Sequence, residues 1–189
     1  MVGAATSQAG SGLLGGVTNG CQYGQMQQPF APWGDNSHYV LTPGGSFEGS
    51  NPWTLSGGAQ VTSGNEPFYL NSSSDSHSLT IPAGGSATSV SICLGILDPT
   101  LRLVGKSSDG SPLHVDVYAR GVLGLVKLPD SADISLGTSW APSSVQVLTL
   151  QNVLALTNLG TTNIVLEFSS TGSATDQLDD VYLDPIWFD

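Results

Sequence analysis

Charge is what this sequence has least of. Asp, Glu, Lys and Arg make up 10% of the chain, against about 25% in an ordinary soluble domain. The basic side is the thinner one: four Lys and Arg face fifteen Asp and Glu, a net charge of −11. A chain with so few cations cannot neutralise a run of phosphates, which excludes nucleic acid as a partner. The same deficit disfavours anionic membrane surfaces. Long hydrophobic runs are also missing. No apolar stretch approaches the roughly 18 residues of a membrane-crossing helix, so no membrane insertion is expected. Cysteine is rare, with only Cys21 and Cys93, 72 positions apart. That spacing fits no zinc or redox motif, both of which need close pairs. There is no HExxH zinc motif and no glycine-rich phosphate loop leading into a helix.

What remains is a Gly- and Ser-rich chain of 189 residues with 39% apolar content. One domain is the natural size class, and such a chain buries roughly 70% of its unfolded surface. Low charge alone would also suit disorder, but the apolar residues here alternate regularly, which argues for a packed core. An even cysteine count in this composition suggests one disulfide in an oxidising, extracellular compartment; two free thiols are the alternative. Residues 1–20 are mostly small, with the apolar knot Leu13, Leu14 and Val17, and read as a flexible or strand-donating leader. Residues 21–189 read as the folded domain.

Period-two alternation dominates that domain. Leu113, Val115, Val117 and Ala119 share one face, with His114, Asp116, Tyr118 and Arg120 on the other. Residues 162–169 repeat the pattern. Shorter strands are expected at 37–42, 46–49, 53–56, 59–63, 67–70, 77–81, 88–95, 100–105, 122–128, 145–150 and 179–184. Asp109-Gly110 suits a hairpin turn, and only 150–158 could be a short helix. Many short strands separated by Gly and Pro turns predict an all-β fold, a two-sheet antiparallel β-sandwich.

Two segments carry a likeness to a known family. Gly45-Ser46-Phe47-Glu48 with Pro52-Trp53-Thr54-Leu55, and Leu178-Asp179-Asp180-Val181 near the other end, resemble the galactose-binding-like jelly-roll modules, many of them carbohydrate-binding modules of secreted enzymes. A closer likeness is to uncharacterised secreted bacterial proteins of the actinobacterial type. It runs through QPFAPWGD (28–35), GNEPF (64–68), SATS (86–89) and DDVYLDP (179–185). The resemblance implies secretion, a Cys21–Cys93 disulfide, and a structural calcium held by Glu48, Asp179 and Asp180. Calcium wants six to eight hard oxygen ligands, and carboxylates from both chain ends could supply some. The alternative for these three is solvated rim carboxylates.

Catalytic constellations are weak. Asp75-Ser76-His77 holds the letters of a triad, but neighbouring positions cannot converge as the relay requires. His114 reads as a surface histidine. Glu167 sits mid-strand and is expected to pair with Arg102, Lys106, Arg120 or Lys127. Asp179 and Asp180 are consecutive, so a regular strand would point them to opposite faces. Among aromatics, Trp53 and Trp140 read as inward-packing. Trp33, Trp187 and Tyr182 are the candidate ligand-binding rings. The reading is a non-catalytic extracellular module for a glycan or cell-envelope polymer; the alternative is a self-associating subunit of a surface layer or filament.

Overall fold

The computed structural model describes residues 21, 23–95, 99–121, 124–129, 131–148 and 161–185. Within them a short 3-10 turn at Ala31–Trp33 precedes fourteen strands. These are β1 (Val40–Leu41), β2 (Thr54–Ser56), β3 (Gln60–Ser63), β4 (His77–Ile81), β5 (Ser86–Thr88), β6 (Ile92–Gly95) and β7 (Thr100–Ser107). Then follow β8 (Leu113–Gly121), β9 (Gly124–Lys127), β10 (Ala132–Ile134), β11 (Ala141–Pro142), β12 (Gln146–Val147), β13 (Thr161–Ser170) and β14 (Asp176–Asp184).

They form two antiparallel sheets. The first runs β11-β7-β14-β4-β3, with β12 also on β7 and β1 on β14. The second runs β10-β8-β13-β5-β2, with β9 on β8 and β6 on β13. Side-chain alternation puts one face of each sheet into a shared core: Leu79, Ile81, Leu101, Leu103 and Leu178 from the first, Val115, Val117, Ile164, Leu166 and Phe168 from the second. Trp53 closes that core, its ring stacked on Phe168 with centroids 5.7 Å apart. Its indole nitrogen donates to the Pro43 carbonyl at 2.8 Å, so the buried ring keeps its polar end satisfied.

The early and late segments meet as the jelly-roll likeness implies. Thr42 donates its amide to the Val181 carbonyl at 2.9 Å, and the Val181 amide donates to Gly45 at 3.0 Å. Gly45 is required there: a Cβ would lie 2.3 Å from Thr42 Oγ1 and 2.8 Å from the Val181 carbonyl. Cys21 and Cys93 form the disulfide, with Cα atoms 5.5 Å apart, inside the usual span. It pins Cys21 to β6.

Several expectations need correction. Residues 46–49 and 67–70 are turns, not strands. Phe47 and Tyr69 take left-handed φ values of 55° and 53°, outside the extended region of a regular strand. Asp109-Gly110 does not close a hairpin, because β7 and β8 belong to different sheets; the turn carries the chain across the sandwich. Strand β10 has no counterpart in the expectations. The leader, the 150–158 helix and Trp187 lie outside the described residues.

Candidate functional site

The outer faces of the two sheets differ. That of the first sheet is partly roofed by residues 27–39 and 64–71. Phe30 is the plug: its ring meets Tyr39 and Tyr182 edge-on at 5.1 and 5.7 Å, and the Arg102 guanidinium lies 4.4 Å above it. Arg102 reaches on to Asp35 at 2.6 Å, and the Tyr39 hydroxyl donates to the same carboxylate at 2.7 Å. Against the cost of burial, hydrogen bonds from Tyr39, Ser37 and Arg102 hold the Asp35 carboxyl below its ordinary value. Tyr182 is fully buried in this lid. It therefore presents no ring to a ligand, which corrects its candidacy. Trp33 stays exposed at the rim, edge-on to Phe68 at 5.0 Å.

Beneath the lid sits an acidic cluster. Glu66, Asp179 and Asp180 are 0%, 1% and 1% exposed. Glu66 accepts backbone N–H groups from Phe68 and Leu70 and gives its own amide to Asp179 Oδ2 at 3.3 Å. Asp180 Oδ2 takes the Asn71 amide at 3.1 Å. A register break in β14 between Asp179 and Tyr182, with Asp180 at φ 48°, defeats the alternation that would separate the two aspartates. Both turn toward Glu66. Burial, with the Asp180 charge added, pushes Asp179 up to about 8. Burial, with Glu66, Asp75 and Glu48 nearby, pushes Asp180 up to about 7.

Glu48 stands a little apart. It accepts the Ser76 and His77 amides at 2.5 and 2.6 Å and the His77 ring Nδ1 at 2.9 Å. Ser76 Oγ contacts that same Nδ1 at 3.1 Å. A relay needs its acid and its nucleophile on opposite ring nitrogens, so Asp75-Ser76-His77 is not one; Asp75 instead accepts from Asn71.

The calcium expectation can be set against this geometry. Asp179 and Asp180 are hard, buried donors, Glu48 is a partly exposed one on His77, and Asp180 Oδ1 is buried without a hydrogen-bond partner, which suits a hard cation. Among the described residues, no three His, Cys, Asp or Glu side chains converge as a preassembled metal centre. The fit is therefore one of donor chemistry at Asp179 and Asp180, with Glu48 the third carboxylate nearby.

A pH dependence follows. Asp179 and Asp180 have folded pKa values above their unfolded ones, so folding takes up protons. Their contribution is fully present below about pH 4 and is lost as pH rises through about 7 to 8. Asp35 and Glu48, held low, act oppositely and lose their contribution as pH falls below about 4. In EDTA, urea-unfolding stability should be greatest near pH 4–5 and decline toward pH 8. A flat profile between pH 5 and 8 would contradict the buried pair.

The outer face of the second sheet is open and polar across its central strands. In register across it lie Ser56, Ser86, Ser169 and His114, and beside them Thr54, Thr88, Glu167 and Asp116. Hydrogen bonds fix the side chains. Ser56 and Ser86 hydroxyls are 2.8 Å apart. Tyr118 donates its hydroxyl to Glu167 at 2.9 Å, and that bond pushes the phenol up to about 12. His114 lies between Asp133 at 2.7 Å and Asp116 at 3.1 Å. The Asp133 bond leads, against burial, in raising the imidazole pKa. Lys127 holds the other Asp116 oxygen at 2.7 Å. Glu167 thus takes a phenol rather than a cation, and His114 is the expected surface histidine, held in order by this network. Sequence reading missed this array because each strand offers only two or three of its members.

The fold is that of a jelly-roll β-sandwich. No protein-family model matches the chain, and no curated protein matches it. Solved structures with a similar fold include a family 61 carbohydrate-binding module in complex with beta-1,4-galactotriose, at 14% identity and TM-score 0.48, covering 77% of this chain and 98% of that one. A xylan-binding CBM22-1 domain from Paenibacillus barcinonensis matches at 16% identity and TM-score 0.45, over 74% and 90% of the two chains. A family 11 carbohydrate-binding module of a Clostridium thermocellum cellulosomal cellulase matches at 12% identity and TM-score 0.42, over 75% and 92%. Likeness at this level says nothing of what this chain binds.

Proposed function

We propose that the protein is a non-catalytic extracellular module that binds a glycan or cell-envelope polymer across the outer face of the second sheet. One observation carries this reading: the prearranged row of hydroxyls, carboxylates and one phenol on β2, β5, β13 and β8. A polysaccharide offers alternating donors and acceptors along an extended chain. This face offers both, already held in place, so little ordering entropy is lost on binding. Asp116 and Glu167 lie opposite each other on β8 and β13, but each is engaged, by Lys127 and His114 or by Tyr118. That supports binding rather than acid-base chemistry. The disulfide supports an oxidising location.

Affinity electrophoresis against a panel of neutral polysaccharides tests the reading. Tyr118→Ala should weaken retention about 10- to 30-fold, the scale of an aromatic hot spot, with an unchanged melting temperature. Wild-type protein retained on no polymer would overturn it.

Calcium at Asp179 and Asp180, with Glu48, is proposed as a structural ion of this module. At a hundredfold excess over Kd it should add about 2.7 kcal/mol of stability, seen as a calcium-dependent rise in melting temperature at pH 8. Asp180→Asn should abolish the rise. No shift in wild-type protein would remove the ion.

A second reading, self-association, has its own observation. Leu125, Val126, Val145 and Val147 are 45–50% exposed. They lie on or beside edge strands β9 and β12, both at the end of the sandwich away from the Asp109 turn. Unpaired apolar edges template pairing between chains. Light scattering should show a dimer or larger species that Val126→Lys disperses; a monomer at all concentrations would end this reading.

A further inference from the structure

The lid covers only part of the first sheet's outer face. Beside it, toward the β7–β8 turn, lies an open pocket of about 250 Å³ lined by Thr80, Lys106, Ser108, Thr138, Thr175 and Gln177. Register builds it. Gln177 on β14 stands between Thr80 on β4 and Lys106 on β7, and all three point away from the core because Leu178, Leu79 and Leu103 point into it. The wall is ordered. Gln177 Nε2 donates to Thr80 Oγ1 at 3.2 Å, Thr80 shares a 2.8 Å hydrogen bond with Thr62, and Ser108 Oγ accepts the Thr175 amide at 2.9 Å.

Lys106 gives the pocket its character. The chain has fifteen acids and four bases, and Arg102 and Lys127 are each on a carboxylate. The Lys106 ammonium instead lies 4.9 Å over the Trp140 ring, an interaction that leaves its N–H donors free to face an incoming group. The neighbouring carboxylates are turned elsewhere. Asp176 is buried on the inner face, Asp109 is bound into the turn by Ser107 and Ser111, and Asp179 lies under the lid.

We propose that this pocket is a second saccharide site, selective for a sugar that carries a carboxylate, a uronic acid residue. Lys106 takes the carboxylate. Gln177 supplies amide donor and acceptor, and Thr80 and Thr138 the hydroxyls, for the sugar's own hydroxyl groups. Trp140 fixes the ammonium in position. A single cation among neutral polar groups matches a ligand with one charge per ring and many hydroxyls; it does not match a phosphate, which calls for several donors of positive charge. The site is on the opposite sheet from the proposed polymer-binding face and does not depend on it.

Isothermal titration of the full chain with trigalacturonate and with its neutral counterpart galactotriose tests the proposal. Wild-type protein should bind the acidic trimer at least 10-fold more tightly than the neutral one. Lys106→Gln should remove that preference, with an unchanged melting temperature. Gln177→Ala should weaken the acidic trimer without equalising the two. Tyr118→Ala, on the other sheet, should leave acidic-trimer binding intact, so failure of this site and failure of the polymer-binding face are distinguishable. Absent acidic-trimer binding, or an unaltered preference in Lys106→Gln, would overturn the proposal.

Discussion

Phe30→Ala is expected to cost about 3–5 kcal/mol of stability, the range for a fully buried ring removed from a packed cluster. The ring contacts Tyr39, Tyr182 and the Arg102 guanidinium at once, so its loss leaves a void that three residues line and no neighbour fills. For a chain of this size each kcal/mol shifts the melting temperature by about 2–4 °C, which predicts a fall of roughly 10 °C. The main core lies on the other side of the sheet, so β-sheet circular dichroism and the emission of buried Trp53 should survive. Opening the lid should also admit water to Asp179 and Asp180. Their pKa values then return toward the usual carboxylate range, and the decline in stability from pH 5 to 8 becomes shallower. A loss below 1 kcal/mol, or an unaltered pH profile, would show that the lid does not seal the cluster.

Removing the disulfide, as the double variant Cys21→Ser and Cys93→Ser, is expected to cost about 4 kcal/mol in the chain-entropy account, given the 72-residue separation it closes. The effect acts on the unfolded chain, which gains freedom, rather than on contacts in the folded one. Urea unfolding should move to a lower midpoint while the folded spectrum stays the same. The proposed polymer-binding face should be affected only at its margin, because Cys93 is on β6 and the Tyr118–Glu167 pair lies further along β13. A midpoint unchanged within 1 kcal/mol would indicate that residues 21–39 are held by the lid alone.

The fold was legible where alternation is strict. β8, β13 and β4 appear where period-two hydrophobicity puts them, because one face of each is buried and a slip of one residue would expose it. Elsewhere the local pattern was misleading for identifiable reasons. Phe47 and Tyr69 look like strand residues, but each takes a left-handed backbone that turns the chain while Phe47 still buries its ring. The Asp179–Asp180 pair shows the same limit at the candidate metal site: alternation holds only in a regular strand, and the bulge breaks it. Glu66 gave no signal as a buried group, since its partners are backbone amides two and four residues on, which sequence does not display. The motif runs fared differently. QPFAPWGD, GNEPF and DDVYLDP are distant in sequence, yet they supply Phe30 and Asp35, Glu66, and Asp179, Asp180 and Tyr182 to a single lid and cluster. The pocket at Lys106 was invisible because its members come one or two at a time from β4, β7, β14 and the turns.

The placement of β14 bears on when the protein can fold. It is the last described strand, yet it lies in the middle of the first sheet, between β4 and β7. Until Asp176–Asp184 has left the ribosome, β4 and β7 have no partner at the seam where that strand belongs, and the inner faces of both sheets stay wet. Pairing of such widely separated segments is slow, on the order of milliseconds to seconds for β-sandwiches. The two sheets are therefore kept from closing on each other until β14 has emerged, and the strands before it stay extended and unpacked for that time.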